Sequence, residues 1–305
     1  MPRHKCLRRQ SFGVNQADPD HSHCLATLGN AQVMHHTDPI IWGLEKSPFS
    51  SGLETRQFFE GATHREALAR LRFLRANRRL GLVLGEPGTG KSLLFKVFEN
   101  HCRRQGCAVA SVNLLGLSTR EFYWQIASQL AAVVRVEDDQ LRLFRQLSDR
   151  IVVNRLQDVP TVVLVDDAHQ AGPDLLAQLV RLTQLDAVSP SPLTMVLAVR
   201  EAQAARLGEQ LLELIDLRID LEPWDELDTI GYLQLALVDA GCQQPLFDDE
   251  SLSEIHLLTA GIPRRVNRLA EHALLVGAGA CDAGEIIDTA TIRAAHAALS
   301  PPVPA

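Results

Sequence analysis

The chain has 305 residues, 46% of them hydrophobic and 22% charged, with a formal net charge of −7. That length is ample for a buried core in one or two domains, and the composition is that of an ordinary globular protein. No run approaches the roughly 18 consecutive apolar residues of a membrane span, and the negative balance excludes a uniformly basic nucleic-acid coat.

Residues 1–38 are polar, rich in Asn, Asp, His and Ser, and poor in periodic hydrophobics, so they read as a disordered leader. No apolar stretch follows Arg3, Lys5, Arg8 and Arg9, so no secretory signal is read and a cytoplasmic location is expected. Met34 offers a second translation start just before the patterned sequence begins. His4, Cys6, His21, His23, Cys24, His35 and His36 crowd the leader at irregular spacing, which argues against a zinc site. Cysteines at 6, 24, 102, 107, 242 and 281 form no CxxC pair and read as reduced thiols.

An aromatic-bearing lead-in, Trp42 to Phe59, precedes a helical pattern from Thr63 to Asn77 whose apolar positions are Ala67, Leu68, Leu71 and Leu74. Strands are predicted over Leu80–Leu84, Ala108–Asn113, Thr161–Val165, Thr194–Val199 and Leu217–Leu221. Helices are predicted over Lys91–Arg104, Arg120–Val133, Asp138–Leu156, Pro173–Leu185 and Glu201–Leu214. Short apolar strands alternating with helices imply an α/β fold with a parallel sheet. After Pro223 the strands stop, and four helical segments near 226–240, 249–259, 263–277 and 287–298 read as an all-helical second domain. A proline-rich tail, 300–305, ends the chain.

Residues 85–92, Gly85, Glu86, Pro87, Gly88, Thr89, Gly90, Lys91 and Ser92, form a complete phosphate-binding loop between a strand and a helix. The glycines let backbone N–H groups converge on one anion at the positive end of a helix dipole. Lys91 is expected to reach the β and γ phosphates, and the Ser92 hydroxyl to ligate Mg²⁺. The second half of such a site is expected at a strand end beside that loop, and the run Thr161 to Gln170 supplies Asp166 for the metal and Asp167 to orient or deprotonate water. Glu is the usual residue at the second position; Asp167 is one methylene shorter, so slow hydrolysis is expected. Ten Lys or Arg against three Glu lie between Arg65 and Arg104, including Arg72, Arg75, Arg78 and Arg79. That excess reads first as a solvated helix face and second as a nucleic-acid or acidic-partner surface.

With the two nucleotide motifs, the lead-in (Trp42-Gly43-Leu44, Pro48-Phe49, His64-Arg65-Glu66-Ala67-Leu68) and the stretch Gly261-Ile262-Pro263-Arg264-Arg265-Val266-Asn267, the chain resembles AAA+ ATPases of the ExeA-like (general secretion pathway protein A) group over about 41–298. The resemblance implies a P-loop NTPase core with a three-layer parallel sheet over 39–222 and a small helical lid over 223–299. It implies ATP and Mg²⁺ as ligands, and Arg264 as a second sensor reaching from the lid toward the γ-phosphate; the fixed donor fork of arginine suits that role. Arg265 is expected to face solvent or serve structure. His64 is implied near the adenine, although a histidine at a helix start is expected on the surface.

Two positions depart from the family pattern. The first-sensor strand runs into Arg200 where a neutral polar residue is usual, and the position of an inter-subunit arginine finger falls near Leu214, with Arg206 and Arg218 the nearest arginines. The expected function is Mg-dependent ATP binding and hydrolysis by a switch or motor acting on a protein partner, as a homo-oligomer. The alternatives are a DNA-associated ATPase of the transposition type and a nucleotide-binding module with very slow turnover. Secretion-associated relatives often carry a membrane span and a peptidoglycan-binding module after the ATPase; neither is read here, so a direct role in secretion through the envelope is not expected. The guanine-specific Asn-Lys-x-Asp pattern is absent.

Overall fold

The computed structural model describes residues 42–49, 55, 58–185, 193–280 and 286–299. The leader with its histidines, Cys6, Cys24 and Met34, the tail, and Cys281 lie outside the described residues.

Five strands, β1 (Leu80–Gly85), β2 (Ala108–Asn113), β3 (Thr161–Asp166), β4 (Thr194–Arg200) and β5 (Leu217–Asp220), form one parallel sheet in the order β2-β3-β4-β1-β5. Parallel neighbours need crossover connections, and helices supply them. The helices are α1 (Ala62–Asn77), α2 (Lys91–Arg104), α3 (Thr119–Gln129), α4 (Gln140–Leu156), α5 (Pro173–Thr183), α6 (Glu209–Leu212), α7 (Glu226–Asp239), α8 (Asp249–Thr259), α9 (Pro263–Ala280) and α10 (Thr289–Leu299).

Strand side chains alternate between two cores, which makes three layers. Leu82 and Leu84 of β1, Val163 and Val165 of β3, and Leu197 and Val199 of β4 pack with Phe122, Leu147 and Leu179 from α3, α4 and α5. Val83, Val162, Leu164, Val196 and Ala198 face the other way, against Leu71 and Leu74 of α1 and Phe95 and Phe98 of α2. Several helix starts are written in the sequence: Ser118 and Glu121 form a reciprocal capping box on α3, while Asp139, Asp225 and Asp248 cap α4, α7 and α8. The single helix predicted over Glu201–Leu214 is instead a 3₁₀ segment, Glu201–Leu207, and the short α6, broken at Gly208 with φ 76°.

Helices α7 to α10 bury a separate core that includes Leu233, Ile255, Val266, Leu269 and Ile292. Leu44 and Phe49 of the lead-in belong to this core, each burial contributing on the order of 2 kcal/mol. The Trp42 indole N–H also donates to the Leu274 carbonyl at 3.1 Å. The lead-in, which the sequence groups with the sheet, thus packs among the C-terminal helices. Among the described residues no helix is long and apolar enough to cross a membrane.

Candidate functional site

β1 is buried at every position and delivers its last residue, Gly85, directly into the glycine-rich loop. Gly88 (φ 100°) and Gly90 (φ 99°) turn the chain through the left-handed region into α2. Both positions are tight for a side chain: a Cβ on Gly88 would lie 3.0 Å from the Arg264 Cβ, and one on Gly90 2.9 Å from the His64 Nε2. Lys91 is buried, and its ammonium group donates to the carbonyls of Gly85 and Glu86, each at 2.8 Å. Burial lowers its pKa, Asp166 and Asp167 oppose that, and Arg200 and Arg264 reinforce it.

Ser92, the second residue of α2, donates its hydroxyl to the Asp166 carboxylate at 2.5 Å. Asp166 ends β3; burial raises its pKa, and the Ser92 hydrogen bond works against the rise. Asp167 follows with left-handed backbone, φ 50°, and its carboxylate accepts from the Asn113 amide at 2.8 Å. Asn113 ends β2 in register with Asp166. Its role was not read from the sequence, although a polar residue closing an apolar strand at the same sheet end as Asp166 was the available signal.

The strand carrying Asp166 ends beside the phosphate loop without pairing with β1. β4 lies between them, and its last residue, Arg200, is paired with Gly85. Arg200 therefore reaches the rim of the site from the strand that separates its two halves. It lines one cavity of about 290 Å³ together with Gly88, Lys91, Ser92, Asp166, Asp167, Arg264 and Asn267.

Arg264 opens α9, where Pro263 provides a favourable first helical residue. Its backbone N–H donates to the Gly88 carbonyl at 3.2 Å, while Arg265 is exposed, as expected. His64 corrects the sequence reading: it is 2% exposed rather than on the surface, wedged between the Thr89 carbonyl and the Trp224 indole. Arg206 and Arg218 lie outside the cavity lining, and Arg218 pairs with Asp220 and Glu201. Cys102 and Cys107 are buried free thiols, and Cys242 is a partly buried one. Among the described residues no group of three or more His, Cys, Asp or Glu side chains is placed to hold a metal by itself.

The donor set fits a magnesium nucleotide. Neither the Arg200 nor the Arg264 guanidinium has a hydrogen-bonding or ion-paired protein partner among the described residues, so two free cations and the Lys91 ammonium face one cavity. A hydroxyl and a carboxylate already in contact, Ser92 and Asp166, offer hard oxygens of the kind magnesium takes along with water and phosphate.

Comparison with known proteins finds relatives in sequence and in fold. Residues 74–215 match the family model described as an AAA domain. The chain is 29% identical over 240 residues to general secretion pathway protein A of Aeromonas hydrophila, covering 77% of this chain and 44% of that protein. It thus spans less than half the length of that relative. Among solved structures, Cdc6p of Pyrobaculum aerophilum superposes with a TM-score of 0.58 at 20% identity, over 77% of this chain and 65% of its own. The Aeropyrum pernix ORC1 protein in complex with DNA gives 0.56 at 18%, over 78% and 65%. The Thermotoga maritima RuvB Holliday junction branch migration motor gives 0.54 at 15%, over 77% and 68%. At these identities the structures establish a shared fold. Residues 74–215 thus match an AAA domain, on a P-loop NTPase fold, within a chain similar over most of its length to general secretion pathway protein A.

Proposed function

We propose that the chain binds magnesium ATP in this cavity and hydrolyses the terminal phosphate, with the helical region changing position as the nucleotide changes. The observation that carries the reading is the convergence of Lys91, Arg200 and Arg264, from three separate elements, on the Ser92–Asp166 pair. An anion of several charges completes that arrangement. In this reading residues 39–222 form the nucleotide-binding core and 223–299 the lid, with Trp42, Leu44 and Phe49 of the lead-in strapped onto the lid.

The glycine-rich loop binds phosphate through backbone N–H groups, and Lys91 gives up its two carbonyl partners for phosphate oxygens. Ser92 and Asp166 hold magnesium, which when bound offsets phosphate charge. Asp167 orients the attacking water and accepts its proton. An oxygen–phosphorus bond forms as the bond to the bridging oxygen breaks, and that oxygen leaves with the electron pair on the diphosphate. Arg200 and Arg264 stabilise charge on the transferred group. In this reading the chain acts as a switch or motor on a protein partner, as a homo-oligomer. Calorimetry with magnesium ATP tests the binding step: saturable heat is expected, with a loss of at least about tenfold in affinity in Lys91→Ala. No heat from the intact protein overturns the reading, and gel filtration with a non-hydrolysable analogue tests ligand-driven assembly.

A second reading, a DNA-associated ATPase, is favoured by one surface. Arg72 and Arg75 of α1 and His101 and Arg104 of α2 lie together, and the His101 pKa is lowered by burial and then by those three arginines. Arg72 and Arg104 are exposed and have no acidic partner among the described residues, and Phe73 beside them is 57% exposed. ATPase rate and retention on duplex DNA at two salt concentrations test it, since phosphate contacts are strongly salt-dependent. Absence of both stimulation and retention removes this reading and leaves the first.

A further inference from the structure

A closed ring of contacts joins the phosphate loop to the helical region through His64. The His64 Nε2 lies 3.1 Å from the Thr89 carbonyl, and its Nδ1 accepts from the Trp224 indole N–H at 3.3 Å. The backbone N–H of Trp224 donates to the Gly261 carbonyl at 2.9 Å. Three residues further on, the backbone N–H of Arg264 donates to the Gly88 carbonyl at 3.2 Å and returns the ring to the loop.

The partners of His64 fix its protonation state. An indole N–H is only a donor and a peptide carbonyl only an acceptor, so Nδ1 carries no proton and Nε2 carries one. Full satisfaction on both sides exists for the neutral Nε2–H tautomer alone. The imidazolium would set a second N–H against the Trp224 N–H at 3.3 Å, inside a site that is 2% exposed. Phe58 packs edge-on at 5.5 Å between ring centroids, so the ring has a hydrophobic wall. Resting on the nucleotide reading above, we propose that neutral His64 is a positioning residue that couples the phosphate loop to the lid, and that its protonation uncouples them.

The charged groups that face the ring are Glu60 beside α1 and Asp228 on α7. Both carboxylates favour the imidazolium, as does the Thr89 carbonyl, but burial outweighs them and holds the His64 pKa below the usual histidine value of 6.5. The coupling is therefore intact at neutral pH. As pH falls below about 6.5 the unfolded chain takes up a proton that the folded ring resists, so stability drops, and the coupling is lost once pH passes the folded value.

The test combines a spectrum with a binding curve. Long-range nitrogen–proton NMR of the full chain at pH 7.5, with the resonance assigned by its disappearance in His64→Gln, is expected to show the Nε2–H tautomer. Affinity for a fluorescent ADP with magnesium is then measured from pH 7.5 to 5.5. Wild type is expected to weaken more than His64→Gln toward the acid end, by less than about tenfold at pH 5.5 because the folded His64 pKa lies below 6.5, since glutamine keeps an N–H donor but does not titrate. His64→Ala, if it folds, is expected to bind about tenfold more weakly than wild type at pH 7.5. A proton on Nδ1, or a His64→Gln curve that follows the wild-type acid loss, overturns the inference. Lys91→Ala separates the failures: if it loses binding while His64→Gln matches wild type, this inference fails alone, and if it binds like wild type, the nucleotide reading fails with it.

Discussion

The first residue after Pro263 holds on to the phosphate loop by its backbone: the Arg264 N–H donates to the Gly88 carbonyl at 3.2 Å. The approach is close enough that a Cβ on Gly88 would lie 3.0 Å from the Arg264 Cβ and 3.1 Å from the Ile262 Cγ2. Gly88→Ala places a methyl group there, and also a side chain at φ 100°, where non-glycine residues are strained by roughly 1–3 kcal/mol. The variant is expected to lower the thermal midpoint and to weaken nucleotide binding together, because the same contact seats the helical region and shapes the loop. Thermal unfolding paired with calorimetry measures both. An unchanged midpoint would show that the loop and α9 are not packed as described.

The Asn113 amide holds one Asp167 oxygen at 2.8 Å. If Asp167 orients water, loosening that carboxylate reduces the fraction of time it points correctly without touching the phosphate contacts. Asn113→Ala is therefore expected to lower kcat for ATP by about five- to tenfold, from loss of one charge-assisted hydrogen bond, while KM stays close to wild type. Steady-state kinetics separate the two constants. A fall in affinity with unchanged kcat would assign Asn113 to binding instead.

Arg200 lines the cavity from the strand between the two nucleotide motifs, and its guanidinium has no acidic partner among the described residues. Arg200→Ala is expected to reduce kcat/KM for ATP by at least about tenfold, the scale of a lost charge-assisted contact. The neutral polar variant Arg200→Asn is expected to recover part of the loss. Wild-type kinetics in Arg200→Ala would mean that the guanidinium points away from bound nucleotide.

How much of this was legible in advance depended on whether the signal was local. The five strands are apolar runs too short for helices, and their predicted bounds agree with the structure to within one residue, as β1 and β3 show. The loop from Gly85 to Ser92 is likewise a contiguous motif. Strand order is not contiguous information: nothing in the run Thr194–Arg200 says that it inserts between β1 and β3, and only the family resemblance set Arg200 at the first-sensor position. His64 was misread for a related reason, since its burial comes from Trp224, 160 positions away. The predicted helix over Glu201–Leu214 failed at Gly208, where a left-handed residue inside an apolar period breaks the hydrogen-bond ladder. The lead-in was grouped with the sheet because it is adjacent in sequence, whereas Leu44 and Phe49 found their core among helices some 200 residues downstream.

Asp166 illustrates a conflict between stability and function. Burial raises its pKa above the ordinary carboxylate value of 3.8, and the neighbouring Asp167 charge adds to the rise, although the Ser92 hydroxyl and Lys91 pull the other way. A carboxyl whose folded pKa is raised contributes stability below its unfolded pKa and loses that contribution as pH rises through the folded value. At neutral pH, without a metal, its ionised form therefore favours unfolding. Asp166→Asn removes the charge and keeps an oxygen that can accept from Ser92, so in metal-free buffer at pH 7.5 the variant is expected to unfold at higher denaturant than wild type. The difference is expected to shrink as pH falls toward 4, where the wild-type carboxyl takes up its proton. The same substitution removes the anionic oxygen offered to magnesium, so nucleotide affinity in the variant is expected to become nearly independent of magnesium. Denaturant curves at several pH values and binding with and without chelator check the two halves separately. A variant less stable than wild type at pH 7.5 would mean that the Ser92 contact, together with the attraction of Lys91, outweighs the desolvation of the carboxylate.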